Sequence, residues 1–460
     1  MKDIHTNPEH PINIVGQNQM VPLANGKLRK YINFDNAAST PSFQSVSDFI
    51  QHFLPYYSSV HRGTGFKSQL STELYDQAHD IVAKFVGADT SKNTVIFTKN
   101  ATEAINKLSF RFPFEKDSIV LTTEMEHHSN DLPWRSKAKT VHVKVTETGT
   151  LDLSDLDYKL RLHQGKVALV CVSGASNVTG IIQPIYTIAE IAHNFDAKVF
   201  VDAAQLAPHR KIDILENSDS CHIDFIAFSA HKMYAPFGSG VLVGPKDIFL
   251  NSAPEYSGGG TVDSVTLDDI RWAGLPDREE AGSPNVIGAL AIAKAIDELS
   301  IIGMDRIAKH EEKLTNYAFD KLSQLDGLTI YGDRIADRVG VLSFNLHGFH
   351  HQEVASILSH QYGIGVRNGC FCAHPYVVKL LALSEEEIQG WRIKSAHGDK
   401  SDQPGLVRIS FGCYNTFEGI DELCHALGSM QDNYSNENLP TFAEQEERFL
   451  NFIEKEISNF

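Results

Sequence analysis

Phe225-Ile226-Ala227-Phe228-Ser229-Ala230-His231-Lys232, followed by Met233-Tyr234-Ala235-Pro236-Phe237-Gly238-Ser239-Gly240, is the stretch from which the fold of this chain is read. An apolar run that fits a buried strand stops at Ser-Ala-His-Lys, and a Pro/Gly-rich turn follows, so a strand delivers one lysine to a crowded backbone corner. In low-dielectric surroundings a lysine loses its proton more readily and becomes an amine nucleophile able to form a Schiff base with a carbonyl compound. On this octapeptide alone, a lysine that snorkels from the strand end into water fits equally well.

Outward from this run, the segment from Val95 to Gly244 alternates short apolar runs with helical patterns. The runs are Val95-Ile96-Phe97, Ile119-Val120-Leu121, Val141-His142-Val143, Val167 to Val172, Val199-Phe200-Val201, Ile223 to Phe228 and Gly240 to Val243. Strands apolar along their whole length predict a mostly parallel sheet of seven strands between two layers of helices, an α/β fold. A large domain over 31–295 is expected, preceded by an N-terminal arm over 1–30. A smaller α+β domain over 296–432 follows, interrupted by a polar excursion at 384–404, and an amphipathic helical tail closes the chain over 433–460.

The 460 residues are 42% apolar and 22% charged, ordinary for a globular chain of more than one domain. A net charge of -17 without a basic stripe argues against nucleic acid or an anionic membrane surface as partner. No apolar stretch approaches the roughly 18 residues of a membrane span. Six cysteines form no dense disulfide framework and Met1 to Pro11 carries no apolar signal core, so a reducing, cytoplasmic location is expected.

In open parallel sheets ligands sit beyond the carboxyl ends of the strands, and here those ends carry polar residues. Asp202 ends one strand; it either caps the next helix or, paired with a Schiff-base lysine, faces the ring nitrogen of pyridoxal phosphate and keeps it protonated. Gln205 follows within reach of the same ring. Asn100-Ala101-Thr102-Glu103 opens an apolar-periodic helix whose N-terminus suits a phosphate as well as it suits an ordinary cap. Ser229 and His231 offer further phosphate hydrogen bonds, and His127 offers a ring that could stack on a planar cofactor; a packed structural histidine is the alternative for both.

Together, Asp202-Ala-Ala-Gln205, Ser229-Ala-His231-Lys232, Glu126-His127-His128-Ser-Asn130, Ser176-Asn177-Val-Thr-Gly180, Glu280-Ala-Gly-Ser-Pro-Asn285 and Val407-Arg408-Ile-Ser resemble, in matching order over roughly residues 30 to 430, the class V aminotransferase family and within it the cysteine desulfurases. The resemblance implies the fold-type I architecture of pyridoxal-phosphate-dependent transferases and a homodimer with sites at the interface. It implies that Lys232 bonds the cofactor, Asp202 meets its ring nitrogen, His127 stacks on it, and Gln205 and Asn177 contact it. Ala101, Thr102, Ser229 and His231 would hold the phosphate, with Thr261 reaching across from the neighbouring subunit. Arg408 would clamp the substrate carboxylate, for which a bidentate guanidinium suits better than lysine.

The reaction type turns on Val366-Arg367-Asn368-Gly369-Cys370-Phe371-Cys372-Ala373-His374-Pro375. A Gly-flanked loop with Arg367 and His374 near a thiol is where a thiolate is favoured. Cys372 stands at the family's catalytic cysteine, which implies that it takes sulfur from L-cysteine, leaving L-alanine and a persulfide that passes to an acceptor. Cys370 departs from that pattern; Gly-Cys-Phe-Cys resembles instead the molybdenum-cofactor sulfurases. Cys370-x-Cys372-x-His374 lacks C-x-x-C spacing and a fourth ligand, so no metal is expected. The competing reading is a class V lyase, epimerase or aminotransferase acting on another amino acid, with Cys372 incidental.

Overall fold

The computed structural model describes residues 12–399, 403–433 and 442–457. Its main sheet has seven strands: β1 (Asn93–Thr98), β2 (Ile119–Thr123), β3 (Lys139–Val143), β4 (Val167–Ser173), β5 (Lys198–Asp202), β6 (Phe225–Ser229) and β7 (Gly240–Pro245), in the order β1-β7-β6-β5-β4-β2-β3. β7 runs antiparallel to both neighbours and the other pairings are parallel. The reason is visible in β6, where every residue is buried. Ile226 and Phe228 enter the core on one face, under helices Phe66–Phe85 and Val286–Ile302; Phe225 and Ala227 enter the other, under helix Ala101–Arg111. A strand covered on both sides has no position for a polar residue until it leaves the sheet, so its chemistry gathers at its end. The order reverses beside β2, whose chain continues outward to β3 and then returns to β4. Ligands of such sheets bind at this switch point.

Helix Val286–Ile302, apolar but for Lys294, Asp297, Glu298 and Ser300 near its end, runs unbroken through residue 295 and lies in the core of the large unit. It ends at Gly303, whose φ of +94° turns the chain into helix Met304–Leu322. Beyond it, Leu328–Tyr331, Val341–Leu346, Leu406–Ser410 and Arg367–Gly369 form an antiparallel four-stranded sheet in that order. Its own core includes Phe344, Ile409, Phe411 and Leu423. Phe34, from the start of the chain, is fully buried in this second core, and Ile32–Asn33 pairs in parallel with Ile364–Gly365.

In the expected arm, residues 1–11 lie outside the described residues. The remainder folds as a hairpin, Met20–Pro22 against Leu28–Lys30, with the Ala24 N–H donating to His360 O. The expected excursion contains helix Glu385–Ala396, opened by a capping box of Ser384 and Glu387. Residues 400–402 of it, and 434–441 and 458–460 of the tail, are likewise outside the described residues. The tail helix Phe442–Ile457 touches the body where the Phe449 ring stacks on His360 at 4.1 Å. Among the described residues no helix is long and apolar enough to cross a membrane.

Candidate active site

The carboxyl ends of β1, β2, β4, β5 and β6 open into one cavity of about 260 Å³. Lys232 reaches it from a single 3-10 turn, Ala230–Lys232, that directly follows β6. That corner is held from outside: the His231 carbonyl accepts from the Thr40 N–H (2.8 Å) and hydroxyl (3.2 Å), and the Tyr234 N–H donates to Thr40 Oγ1 (2.7 Å). The small-residue turn around Ala37 and Ala38 thus braces the lysine corner and lines the cavity as well.

Burial first, with the Arg408 charge adding to it, lowers the Lys232 ammonium to about 8 against the opposing pull of Asp202 and Cys372. Asp202 moves the other way, its carboxyl raised by burial although Oδ1 accepts the Ala204 N–H at 2.9 Å. His127 is lowered to about 3 and His231 to about 4, by burial first and the Lys232 charge second, so both rings are neutral near pH 7. His127 Nδ1 accepts the Ser129 N–H (3.1 Å), which puts the proton of the neutral ring on Nε2. Because the Lys232 pKa falls on folding, the unfolded chain binds the extra proton between about 8 and 10.5, and the cost of burying this group declines as pH rises through that window. In cofactor-free protein, reductive alkylation of Lys232 by a small aldehyde is expected to reach half its maximal rate near pH 8. A midpoint near the ordinary lysine value of about 10.4 would mean that the amine is solvated.

At the N-terminus of helix Ala101–Arg111, the Asn100 side chain caps the Glu103 N–H (3.0 Å), and the Ala101 N–H donates to Ser229 Oγ (2.8 Å). Ser229 therefore has its own hydroxyl proton free for a ligand. Thr102 Oγ1 lies 2.7 Å from Ser129 Oγ, which lies 3.0 Å from His127 Nδ1, so a hydroxyl chain joins the helix N-terminus to the imidazole. Glu126 anchors the loop carrying His127. Its buried carboxyl accepts from Thr123 Oγ1, Asn130 Nδ2, and the Ser173 N–H and hydroxyl, while burial raises it to about 7.

The opposite wall comes from the smaller unit. Arg408, in strand Leu406–Ser410, is 3% exposed; it donates from one terminal nitrogen to Asn177 O (2.9 Å) and from the other to Asp35 Oδ1 (3.0 Å). Its Nε has no partner. Phe371 lies under the guanidinium at 4.8 Å. Phe371 and Cys372 both have positive φ, +51° and +56°, and the loop is pinned by Asn177 Nδ2 donating to Phe371 O (2.7 Å) and the His128 N–H donating to Cys372 O (2.7 Å). Cys372 is exposed at the cavity and Arg367 stands at its rim. Cys370 turns away: its thiol donates to Pro404 O (2.8 Å), and burial pushes it up to about 12. His374 Nδ1 is 2.9 Å from His128 Nε2, and its ring stacks between those of His128 and Trp391.

Ala101, Thr102, His127, Asn177, Asp202 and Gln205 therefore line one cavity, with Ser229, His231, Lys232, Arg367, Cys372 and Arg408. Thr261 does not join them within its own chain; it is buried, and its hydroxyl donates to Gly258 O at 2.8 Å. One Gln205 N–H donates to Ala37 O (2.8 Å), leaving the rest of the amide for a ligand. Sequence reasoning missed Ser129, although it lies inside the quoted Glu126–Asn130 run. It also missed Asp35 and Phe371. Neither has a local signal, because Asp35 meets Arg408 only through pairing between distant strands.

A family model of the class V aminotransferases matches residues 32–423. A cysteine desulfurase of Haloferax volcanii is 34% identical over 414 residues, 88% of this chain and 90% of that protein. A probable cysteine desulfurase of Halalkalibacterium halodurans is 36% identical over 422 residues, 90% and 95%. Among solved structures, the cysteine desulfurase of Thermococcus onnurineus, in its apo form, superposes with a TM-score of 0.78 at 33% identity, covering 88% of this chain and 95% of its own.

Proposed function

Because the chain belongs to the class V aminotransferase family, we propose that it is a pyridoxal-phosphate-dependent cysteine desulfurase, converting L-cysteine to L-alanine and taking the sulfur as a persulfide on Cys372. One observation carries this reading: a single cavity holds the Lys232 amine, the Asp202 carboxyl, the Arg408 guanidinium and the exposed Cys372 thiol.

The residues present fit the cofactor. Lys232 is an amine that loses its proton near neutral pH, and Asp202 is a buried carboxyl whose main compensating charge is that amine. A helix N-terminus with Thr102 and Ser229 hydroxyls suits a phosphate dianion. The unpartnered Arg408 Nε leaves a donor for a carboxylate. When bound, pyridoxal phosphate would supply the electron sink that makes bonds to the amino-acid Cα breakable. Lys232 would bond it, Asp202 would keep its ring nitrogen charged, His127 would stack on its face, and Gln205 and Asn177 would border it. Thr102, Ser229, His231 and the Ala101 end of the helix would hold its phosphate.

Lys232 Nζ, neutral above about 8, is the base that takes the Cα proton. Arg408 fixes the substrate carboxylate, with Arg367 adding positive charge at the rim. Cys372 Sγ, as thiolate, bonds to the substrate sulfur as the carbon–sulfur bond breaks; the carbon keeps the electron pair, gains a proton and leaves in alanine, and the persulfide stays on the chain. Arg408→Lys removes the forked donor but keeps the charge. It is expected to lower kcat/KM for L-cysteine about 10- to 100-fold, mainly through KM, as loss of charged hydrogen bonds worth roughly 1.5–3 kcal/mol implies. Steady-state kinetics check this.

Exposure of Cys372 supports transfer of the persulfide sulfur to an acceptor protein. Exposed Val265, Leu267 and Ile270 on the hairpin Val262–Trp272, which follows the Gly258–Thr261 turn, support a homodimer. The test is product analysis: L-cysteine should yield alanine, with sulfur on the chain in the first turnover and as sulfide when a thiol is added. Pyruvate or an epimerised amino acid in place of alanine would instead assign the cavity to another class V reaction.

A further inference from the structure

We infer that the edge of the main sheet remote from the cavity holds a divalent transition-metal site, of the zinc type, formed by His193, His222 and Asp224. His193 is the last residue of helix Ile185–His193. His222 and Asp224 are two apart in the segment entering β6, at the opposite end of the strand from Lys232. His193 Nε2 lies 3.0 Å from Asp224 Oδ2 and His222 Nε2 lies 3.4 Å from Oδ1. The rings stack with centroids 4.2 Å apart, and the three ligand atoms lie within 4.8 Å of one another. Among the described residues this is the one such cluster of histidine, cysteine and acidic groups.

A second observation makes it more than a set of ion pairs. His193 Nδ1 donates to Ser220 O at 2.7 Å and His222 Nδ1 donates to Asp219 O at 2.6 Å. A carbonyl only accepts, so each ring holds a proton on Nδ1 and aims its Nε2 at the same carboxylate, where an ion would take the place of the proton now shared between Nε2 and Asp224. Backbone carbonyls holding the far nitrogen are the outer contacts that orient metal-binding histidines. The Val199 N–H fixes Asp224 Oδ2 at 2.8 Å. Lys198 Nζ, 2.9 Å from Oδ1, is a competing cation, but its side chain is 41% exposed on a flexible stem and can turn into water. Two imidazoles favour zinc, copper or nickel over magnesium or calcium, and three protein ligands leave a fourth position to water. Such an ion joins the helix end, the 215–222 loop and the starts of β5 and β6, without touching the cavity.

The test titrates zinc into holoenzyme stripped with a chelator and desalted, against a chromophoric competitor. One equivalent per chain is expected. His193→Gln and His222→Gln should each weaken it at least about 100-fold, beyond what the outer hydrogen-bond partners contribute, while retaining cofactor absorbance and alanine formation. Lys198→Met should tighten it, and zinc should raise the Tm of the wild type but not of His222→Gln. Cys372→Ser should keep the equivalent, and cobalt in its place should show no thiolate charge-transfer band. Absence of a bound equivalent, or one kept by both histidine variants and lost with Cys372, would overturn the site. If a histidine variant fails to fold, the Lys198→Met titration and the cobalt spectrum decide: no tightening together with a thiolate band rejects it.

Discussion

Lys232→Ala is expected to abolish turnover, with loss of at least about 10⁴-fold in kcat, because one substitution removes both the covalent anchor and the base at Cα. The rest of the cavity stays: Asp202, the helix N-terminus at Ala101 and the Ser229 hydroxyl do not depend on the lysine side chain for their hydrogen bonds. The variant should therefore still bind pyridoxal phosphate, reversibly, and borohydride should no longer fix it to the chain. The surrounding positive charge also changes. With the Lys232 cation gone, the second cause of the depressed His127 and His231 values disappears, and both rings should titrate closer to the ordinary histidine range. Their NMR titration separates loss of a charge from general collapse of the site. A pyridoxyl group retained on the alanine variant after borohydride reduction and dialysis, detected as added chain mass, would place the anchor elsewhere.

Cys372→Ala is expected to lower alanine formation from L-cysteine by at least about 10³-fold, with cofactor absorbance unchanged and no sulfur on the chain after one turnover. No neighbouring thiol can substitute. Cys370 is buried, committed to Pro404 O and raised to about 12, so its thiolate is scarce at neutral pH. Cys370→Ala should accordingly leave first-turnover sulfur on Cys372, as mass analysis of the loop peptide would record. Alanine production by Cys372→Ala at the wild-type rate would remove sulfur transfer from the mechanism.

The sheet was legible because β4, β5 and β6 are buried on both faces and therefore written in unbroken apolar residues, with polar ones confined to their ends. That confinement made Lys232, Asp202 and Asn177 readable in advance; the family resemblance added Arg408 and Cys372. Side-chain direction was not legible. Nothing around Cys370 tells that its thiol faces Pro404, and nothing in residues 384–404 tells that Trp391 stacks on His374 at 5.5 Å. His193 and His222 stand far apart in the chain and match no metal-ligand spacing; the turn of the 215–222 loop brings them together.

The Arg408–Asp35 contact joins residues 373 positions apart, and beside it Asp35 pairs with Ser410 as Ile32–Asn33 pairs with Ile364–Gly365. Synthesis at about 5–20 residues per second puts roughly 20–75 s between the two halves of that contact. All strands of the main sheet have been synthesised by Pro245, so the cavity floor can assemble while the carboxylate clamp does not yet exist. Throughout that interval Phe34 waits as an apolar ring on the growing chain, because the core that buries it is completed by residues not yet made.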